Sequence, residues 1–354
     1  MRRTLLAGLC VLLAESALSQ EFVLPPSHGT EPAGPVDRGV APPPAGEAQP
    51  LPFPRLPADE AERADPFDDP AALIEGFGTV TFDANGVETH SEPSPELRRH
   101  LLRLRSESSP RGRERDRNVI PESQDIQERD IIGADDRIAI VDSIWGHYKA
   151  VGFLEFYHGT TKSHCSAALI GPRTVLTAAH CLFDAETGWG ARFVFYPGAN
   201  GRDNFPYGGY AYQTAEITRA YFDNIGNKYN KTAMQFDIGL LVLKERTGLG
   251  WLGVSILDYS GFSIGLLGYP GDKPYATMWW ERCYVGSGDI YEHVFHHPCD
   301  VTGGSSGGPM FINGGKDIDV GKYIYGVNVA GNERYNVAVS ITSDVLGWIK
   351  ERWK

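Results

Sequence analysis

The feature that most constrains the fold is a change of pattern near residue 131. From there to the C terminus, Gly, Pro, Asn and Asp separate short apolar runs at the intervals typical of all-β proteins. The clearest predicted strands are residues 150–156, 174–176, 238–243 and 323–329. Within this region, only residues 343–354 have apolar residues at helical spacing. The pattern predicts an all-β domain of about 220 residues that ends in one helix.

The first 19 residues predict an export signal. An arginine pair precedes an apolar stretch over residues 5–14, which is too short to span a bilayer comfortably. A small-x-small sequence at residues 17–19 then predicts a cut before Gln20. The alternative is a membrane anchor, but Glu15 interrupts the apolar run. We expect a secreted protein that has no membrane contact after signal removal, released to the medium or held in a periplasm.

Residues 20–130 have the composition of a pro-segment. Residues 20–70 are dense in Pro, Gly, Ala and acidic residues, which favours extended or disordered chain. A short helix is predicted at residues 94–105, where three leucines share a face. Arginine recurs from residue 98 to 129, which indicates either a solvated surface or a protease-sensitive linker. We expect the segment to be mostly disordered and to be cut between residues 129 and 131 by an activating protease.

Four cysteines remain after signal removal, which is an even number in an exported chain. Disulfides are therefore expected, and three connectivities are possible. The predicted pairs are the two that are local in sequence, Cys165–Cys181 and Cys283–Cys299.

The net charge of −12 argues against a nucleic-acid partner, which would favour a basic face. Apolar residues make up 42% of the chain, as in an ordinary globular protein with a core. We expect a monomer.

Residues 177–181, TAAHC, present a histidine among small neighbours. A catalytic histidine needs such space, because a nucleophile and a carboxylate must reach its two ring nitrogens. A packed core histidine is the alternative. A second segment begins at Asp237, which heads a buried aliphatic run; burying a carboxylate is costly unless it is hydrogen-bonded. Orienting the imidazole of His180 would supply that bond.

The third segment is TGGSSGGP, residues 302–309. Its glycines allow a tight loop in which the amides of Gly304 and Ser306 point at one developing oxyanion. The same residues also match the G-x-S-x-G elbow of α/β-hydrolases, in which the histidine follows the serine. No histidine occurs after His297, so the order is His180, Asp237, Ser306. These three residues are the predicted catalytic triad.

With these segments, the chain from residue 131 onward resembles the chymotrypsin-like serine proteases, and in particular their bacterial glutamyl endopeptidase branch. Its most distinctive pieces are IGADDR at residues 132–137 and GYPGDKP at residues 268–274. The resemblance implies two packed six-stranded antiparallel β-barrels with a C-terminal helix, a polypeptide substrate, no cofactor and a mature N terminus near Ile131. It also implies that the new N-terminal ammonium helps to bind an acidic substrate side chain.

The predicted substrate-binding residues depart from the branch. Asn328 stands where the branch has a histidine, and Val301 stands where a hydroxyl residue is common. Asp300 occupies the position that gives trypsin-like relatives a preference for Arg and Lys. An acidic, a basic and a small or broad preference therefore all remain open. Val329 and Gly331 would pair with the substrate backbone as an added strand.

Two other interpretations compete with this one. His293, His296, His297 and Cys299 are dense enough for a zinc site, but Cys299 is expected in a disulfide, so no metal is predicted. A non-catalytic binding protein on the protease fold is the rival class, although the chain retains all three triad residues. An esterase on the same scaffold is a further alternative.

Overall fold

The computed structural model describes residues 23–27, 46–55, 69–107, 131–226, 229–258, 260–312, 322–332 and 334–354. The predicted export signal and most of the arginine-rich stretch lie outside these residues. No helix in the described part is long and apolar enough to cross a membrane.

Strands dominate the described residues. They are β1 (Val23–Leu24), β2 (Gln49–Pro50), β3 (Thr79–Asp83), β4 (Glu88–Ser91), β5 (Ile138–Ala139), β6 (Val151–His158), β7 (Thr161–Leu169), β8 (Thr174–Thr177), β9 (Phe183–Asp184), β10 (Gly188–Trp189), β11 (Ala191–Pro197), β12 (Tyr210–Thr218), β13 (Gly239–Leu243), β14 (Gly253–Ser255), β15 (Phe262–Gly268), β16 (Trp279–Val285), β17 (Val294–His297), β18 (Pro309–Ile312), β19 (Tyr323–Gly331) and β20 (Asn336–Ser340). The α-helices are α1 (Pro70–Gly76), α2 (Pro95–Glu107), α3 (Arg219–Asn224), α4 (Lys231–Gln235) and α5 (Ser343–Arg352).

Six antiparallel strands close the first barrel in the order β11, β6, β7, β8, β13, β12 and back to β11. Every residue of β13 is buried, as its continuous aliphatic run predicts. The disulfide Cys165–Cys181 forms as predicted and ties β7 to the chain after β8. This barrel therefore holds the loop that contains His180 at one end of its strands.

The second barrel has six antiparallel strands in the order β16, β15, β18, β19, β20, β17. Its two end strands share no ladder, but the predicted disulfide Cys283–Cys299 joins β16 to the chain just after β17. Helix α5 then ends the chain at the position predicted from sequence. The two-barrel expectation is confirmed.

Residues 69–107 belong to the same folded unit, which therefore begins upstream of residue 131. Strand β3 pairs with β12 of the first barrel, and β4 pairs with β3 across an Asn85-Gly86 turn. The sequence predicted only the second helix of this region, α2, which is capped by the hydroxyl of Ser94. The described parts of residues 20–70 are extended chain, with β1 paired to β14 and β2 paired to β7.

Helix α2 tests whether the upstream residues contribute to stability. Leu97 is 2% exposed and contacts α5 near Gly347, whereas Leu102 on the same helix is 53% exposed. We expect Leu97→Ala to lower the free energy of unfolding of the full chain by about 2–5 kcal/mol, because it leaves a cavity in the core. Leu102→Ala should change it by less than about 0.5 kcal/mol. Equal effects of the two substitutions in urea unfolding would contradict this packing.

Candidate active site

The carboxylate of Asp237 lies at the centre of the site and is fully buried. The backbone N–H of His180 donates to its Oδ1 at 2.9 Å, and Nδ1 of the same histidine lies 2.7 Å from its Oδ2. Burying a polar group is costly unless such donors satisfy it. Because a carboxylate oxygen accepts, Nδ1 of His180 is the donor in this pair, and the bond orients the imidazole ring.

Tyr229 supplies a third donor, which the sequence analysis did not identify. Its hydroxyl donates to Oδ2 of Asp237 at 2.6 Å. Burial and the neighbouring carboxylate raise the pKa of Tyr229 well above 10, so the phenol stays protonated and can donate. No sequence pattern marks this tyrosine, because only the fold of the loop before α4 brings it to Asp237.

The loop that contains Ser306 docks against the strand that leads to His180. Gly304 and Gly307 both have positive φ, 89° and 79°. A Cβ atom on Gly307 would lie 2.1 Å from Oγ1 of Thr177, so only glycine fits there. The backbone N–H of Ser166 donates to the carbonyl of Ser306 at 2.8 Å. The loop that contains Ser306 (the nucleophile loop, residues 302–308) is thus fixed to β7 through Ser166 and packs against Thr177 of β8, the strand that leads to His180.

Two atoms at this junction have no hydrogen-bond partner among the described residues. They are Nε2 of His180 and Oγ of Ser306, and both are buried. They belong to the residues predicted as the general base and the nucleophile of acyl transfer. The structure therefore brings the three predicted triad residues into one site and leaves their reactive atoms uncommitted.

An upstream stretch of chain, residues 46–55, crosses this site. The amide of Gly304, predicted for the oxyanion hole, donates to the carbonyl of Leu51 at 3.1 Å. Gly331 on β19 donates to the carbonyl of Pro54 at 3.2 Å. Phe53 is only 7% exposed, and its ring would lie 2.8 Å from a Cβ atom on Gly331. The predicted backbone-binding strand is thus occupied by the chain itself.

Asp300 binds the beginning of the strand-rich region. Its Oδ1 accepts the backbone N–H of Ile132 at 2.7 Å, and its Oδ2 accepts that of Asp136 at 3.3 Å. Burial raises its pKa. Val301 beside it is fully buried and apolar. Both carboxylate oxygens are therefore engaged close to Ile131, and the predicted acidic pocket base is hydrogen-bonded within the protein.

Asn328 supports the nucleophile loop. Its Nδ2 donates to the carbonyl of Ser305 at 3.2 Å, and its Oδ1 lies 3.2 Å from Nε2 of His297. Burial lowers the pKa of His297 to about 3, so the ring is neutral and its Nε2–H donates to Asn328. Val329, next along β19, offers no side-chain donor. The sequence analysis weighed His297 as a metal ligand, predicted no metal, and did not anticipate this pairing.

The two distinctive motifs meet in an ion-pair network. The buried guanidinium of Arg137 bridges Asp135 of the first motif and Asp272 of the second. Lys273 adds a further pair with Asp135. Asp272 also accepts the hydroxyl of Thr302 at 2.7 Å. The network therefore connects the chain after Ile131 with the loop that carries the nucleophile.

The cysteine and histidine groups near the site do not fit a zinc centre. Two sets of potential ligands occur within the described ranges, and each consists of one histidine and two cysteines. The cysteines of both sets are joined in disulfides. Zinc binds thiolates, which a disulfide cannot provide. His296 instead stacks on Tyr335, with 3.8 Å between ring centroids.

Comparisons with known proteins relate the chain to peptidases. A family model described as "Trypsin-like peptidase domain" matches residues 165–318. The chain is 30% identical to a glutamyl endopeptidase of Staphylococcus aureus over 237 residues, which is 66% of this chain and 67% of that protein. It is 29% identical to a Bacillus subtilis protein named extracellular metalloprotease over 234 residues, 64% of this chain and 71% of the other.

A solved structure shows the same fold. The Glu endopeptidase in complex with MPD superposes with a TM-score of 0.53 at 22% identity, covering 63% of this chain and 98% of that one.

Tyr229 provides a test of the site geometry. Removing its hydroxyl in Tyr229→Phe takes one donor from a buried carboxylate, and a hydrogen bond to a charged group is worth about 1.5–3 kcal/mol. We expect kcat/KM for a peptide substrate to fall about 10- to 100-fold without loss of the fold. Tyr221→Phe is the matched control, because its hydroxyl donates to the carbonyl of Phe183. Equal losses in both variants would contradict a role at Asp237.

A second prediction concerns Glu281, which is 6% exposed next to Asp300. Burial raises its pKa to about 8 from 4.5, so the folded chain keeps a proton that the unfolded chain has released. The free energy of unfolding should therefore fall as pH rises from 4.5 towards 8, by about 1 kcal/mol per pH unit. Glu281→Gln should flatten this slope in urea unfolding at several pH values; an unchanged slope would contradict the assignment.

Proposed function

The chain belongs to the trypsin-like peptidase family, and from this premise we propose that it is a secreted serine endopeptidase. The observation that carries the proposal is the bonding of His180. Its Nδ1 and backbone N–H both bind Asp237, while its Nε2 and Oγ of Ser306 have no partner among the described residues. Neither atom is hydrogen-bonded to another group in the described part of the chain, so both are available for the proton transfer that links a general base to a serine nucleophile.

The proposed reaction is acyl transfer. Ser306 attacks the peptide carbonyl as Nε2 of His180 takes its proton, and the histidine then donates that proton to the leaving amine. Asp237 stabilises the imidazolium, and the amides of Gly304 and Ser306 hold the oxyanion. Water then attacks the acyl-enzyme, gives its proton to His180 and restores Ser306.

Export and processing form the second part of the proposal. We assign residues 1–19 to the signal, 20–130 to the pro-segment and 131–354 to the protease domain. The two disulfides favour an oxidising compartment outside the cytosol. The backbone N–H of Ile132 already lies 2.7 Å from Asp300. A cut just before Ile131 by an activating protease would place the new ammonium next to this carboxylate.

For the side-chain preference we propose cleavage after glutamate. The relative named glutamyl endopeptidase supports it. The ammonium created near Ile131 is the cation available to a substrate carboxylate, because the side chain of Asn328 is bonded to Ser305 and His297. The Arg and Lys alternative has less support, since both oxygens of Asp300 accept backbone N–H groups.

A second preference is favoured by one observation. Phe53 packs beside Gly331 and joins an apolar cluster that includes Val301 and Cys299. A pocket with such walls would accept an aromatic or aliphatic side chain. The rival class, a binding protein without catalysis, is weakened because the geometry of Asp237 and His180 is intact.

The test is a peptide-library digest with the secreted, N-terminally sequenced enzyme and its Ser306→Ala variant. We expect cleavage after Glu, lost by about 10⁶-fold in kcat in the variant. Cleavage after Phe or Leu would indicate that the apolar walls near Val301 determine the side-chain preference. Cleavage after Arg or Lys would indicate that Asp300 determines it. Equal activity of the variant would overturn the proposed mechanism, and activity on esters alone would indicate an esterase.

A further inference from the structure

Residues 46–55 cross the candidate active site from one side to the other. Strand β2 lies parallel to β7, where the N–H of Leu51 donates to the carbonyl of His164 at 3.0 Å. The carbonyl of Leu51 then accepts the amide of Gly304, and Arg55 forms a parallel bridge with Gly331. The segment therefore passes from β7, across the loop that contains Gly304, to β19.

The direction of this path is opposite to that of a substrate. His180 must protonate the leaving amine, so the part of a substrate that follows the cleaved bond lies on the side of His180. The disulfide Cys165–Cys181 places that side next to β7. A substrate would thus run from β19 to β7, whereas the segment passes β7 first and reaches Gly331 last.

With this direction, the bond after the Leu51 carbonyl is poorly placed for cleavage. The nitrogen that would have to leave belongs to Pro52, and the chain from it continues towards Gly331 rather than towards His180. Hydrolysis there would also have to break a tertiary amide that carries the proline ring. The Leu51 carbonyl can therefore accept the Gly304 amide without presenting a leaving nitrogen to His180, the proposed general acid.

The composition of the segment favours tight binding in an extended form. Prolines alternate at positions 50, 52 and 54. Each proline restricts φ to near −65°, so the segment loses little conformational freedom when it binds. A proline also has no backbone N–H that would need a partner in the site. Leu51, which retains its N–H, uses it on His164.

Both ends of the segment are anchored. At its start, Nζ of Lys162 donates to the carbonyl of Gly46 at 3.0 Å, and the hydroxyl of Tyr275 lies 3.3 Å from the N–H of Ala48. At its other end, Phe53 is buried beside Gly331. These contacts lie on both barrels, so the segment spans the site between them.

We propose that residues 46–55 are an inhibitor built into the chain, and that the site binds proline-alternating peptides of this kind in reverse, without cutting them. The inference rests on the proposed function, because it assigns the segment to the same catalytic site. It goes further by naming a ligand class that binds against the direction of catalysis.

The first experiment labels Ser306 in the full chain with a fluorophosphonate probe. In Phe53→Asp, a charge replaces a buried ring, so the segment should leave the site and the labelling rate should rise about tenfold or more. The matched control is Leu102→Asp, which changes an exposed pro-segment residue and should label at the wild-type rate. Mass spectrometry quantifies the adduct, and circular dichroism verifies the fold.

The labelling results distinguish failure of the inhibitor inference from failure of the proposed function. Rapid and equal labelling of wild type and Phe53→Asp would overturn the inference and leave the proposed function in place. Absence of labelling in every form, with all forms folded, would overturn the proposed function and the inference with it.

A second variant tests the direction. Pro52→Ala turns the bond after Leu51 into an ordinary secondary amide. In the reversed orientation the bond should stay intact in the purified full chain over days, as judged by mass spectrometry. A new N terminus at position 52, absent when Ser306→Ala is added, would show that the segment binds as a substrate and would overturn the reversed direction.

Discussion

The buried carboxylate of Asp237 is the interaction on which the rest of the site depends. A negative charge without solvent is tolerated only where donors surround it. Here two donors come from His180 and the third is the hydroxyl of Tyr229. The first barrel places these groups through β8, the disulfide loop and the turn before β13. Because all three donors act on one carboxylate, the histidine ring has one orientation, and its free nitrogen faces the site.

The nucleophile loop is held from several sides. Thr302 donates to Asp272 of the ion-pair network, and Ser305 accepts from Asn328. Gly271 donates to the carbonyl of Gly303 at 2.7 Å. These contacts lie outside the bond-making atoms, yet they determine where the Gly304 amide points. They also give a physical role to the two distinctive motifs and to Asn328, which positions the loop instead of presenting its amide to a substrate.

Local patterns were sufficient to predict much of the molecule. Short apolar runs predicted β13 and β19, and the sequence-local cysteine pairs predicted both disulfides. Three short segments predicted the triad residues that the structure places together. Tyr229 reaches Asp237 only through the fold of the loop before α4, and His297 meets Asn328 across 31 residues of sequence. No local sequence signal marks either contact. The same holds for residues 46–55. Their proline content predicts extended chain, but only the contacts of this segment with β7 and with β19 reveal where it binds.

The most direct test of acyl transfer is rapid-quench kinetics of the processed, secreted enzyme with an activated ester substrate. Because the ester acylates quickly and water releases the acyl group slowly, we predict a burst of one equivalent of product per enzyme molecule. The acyl group should appear by mass spectrometry on the peptide that contains Ser306. Linear product release without any adduct, or an adduct on another residue, would contradict the central claim that Ser306 is the nucleophile of this site.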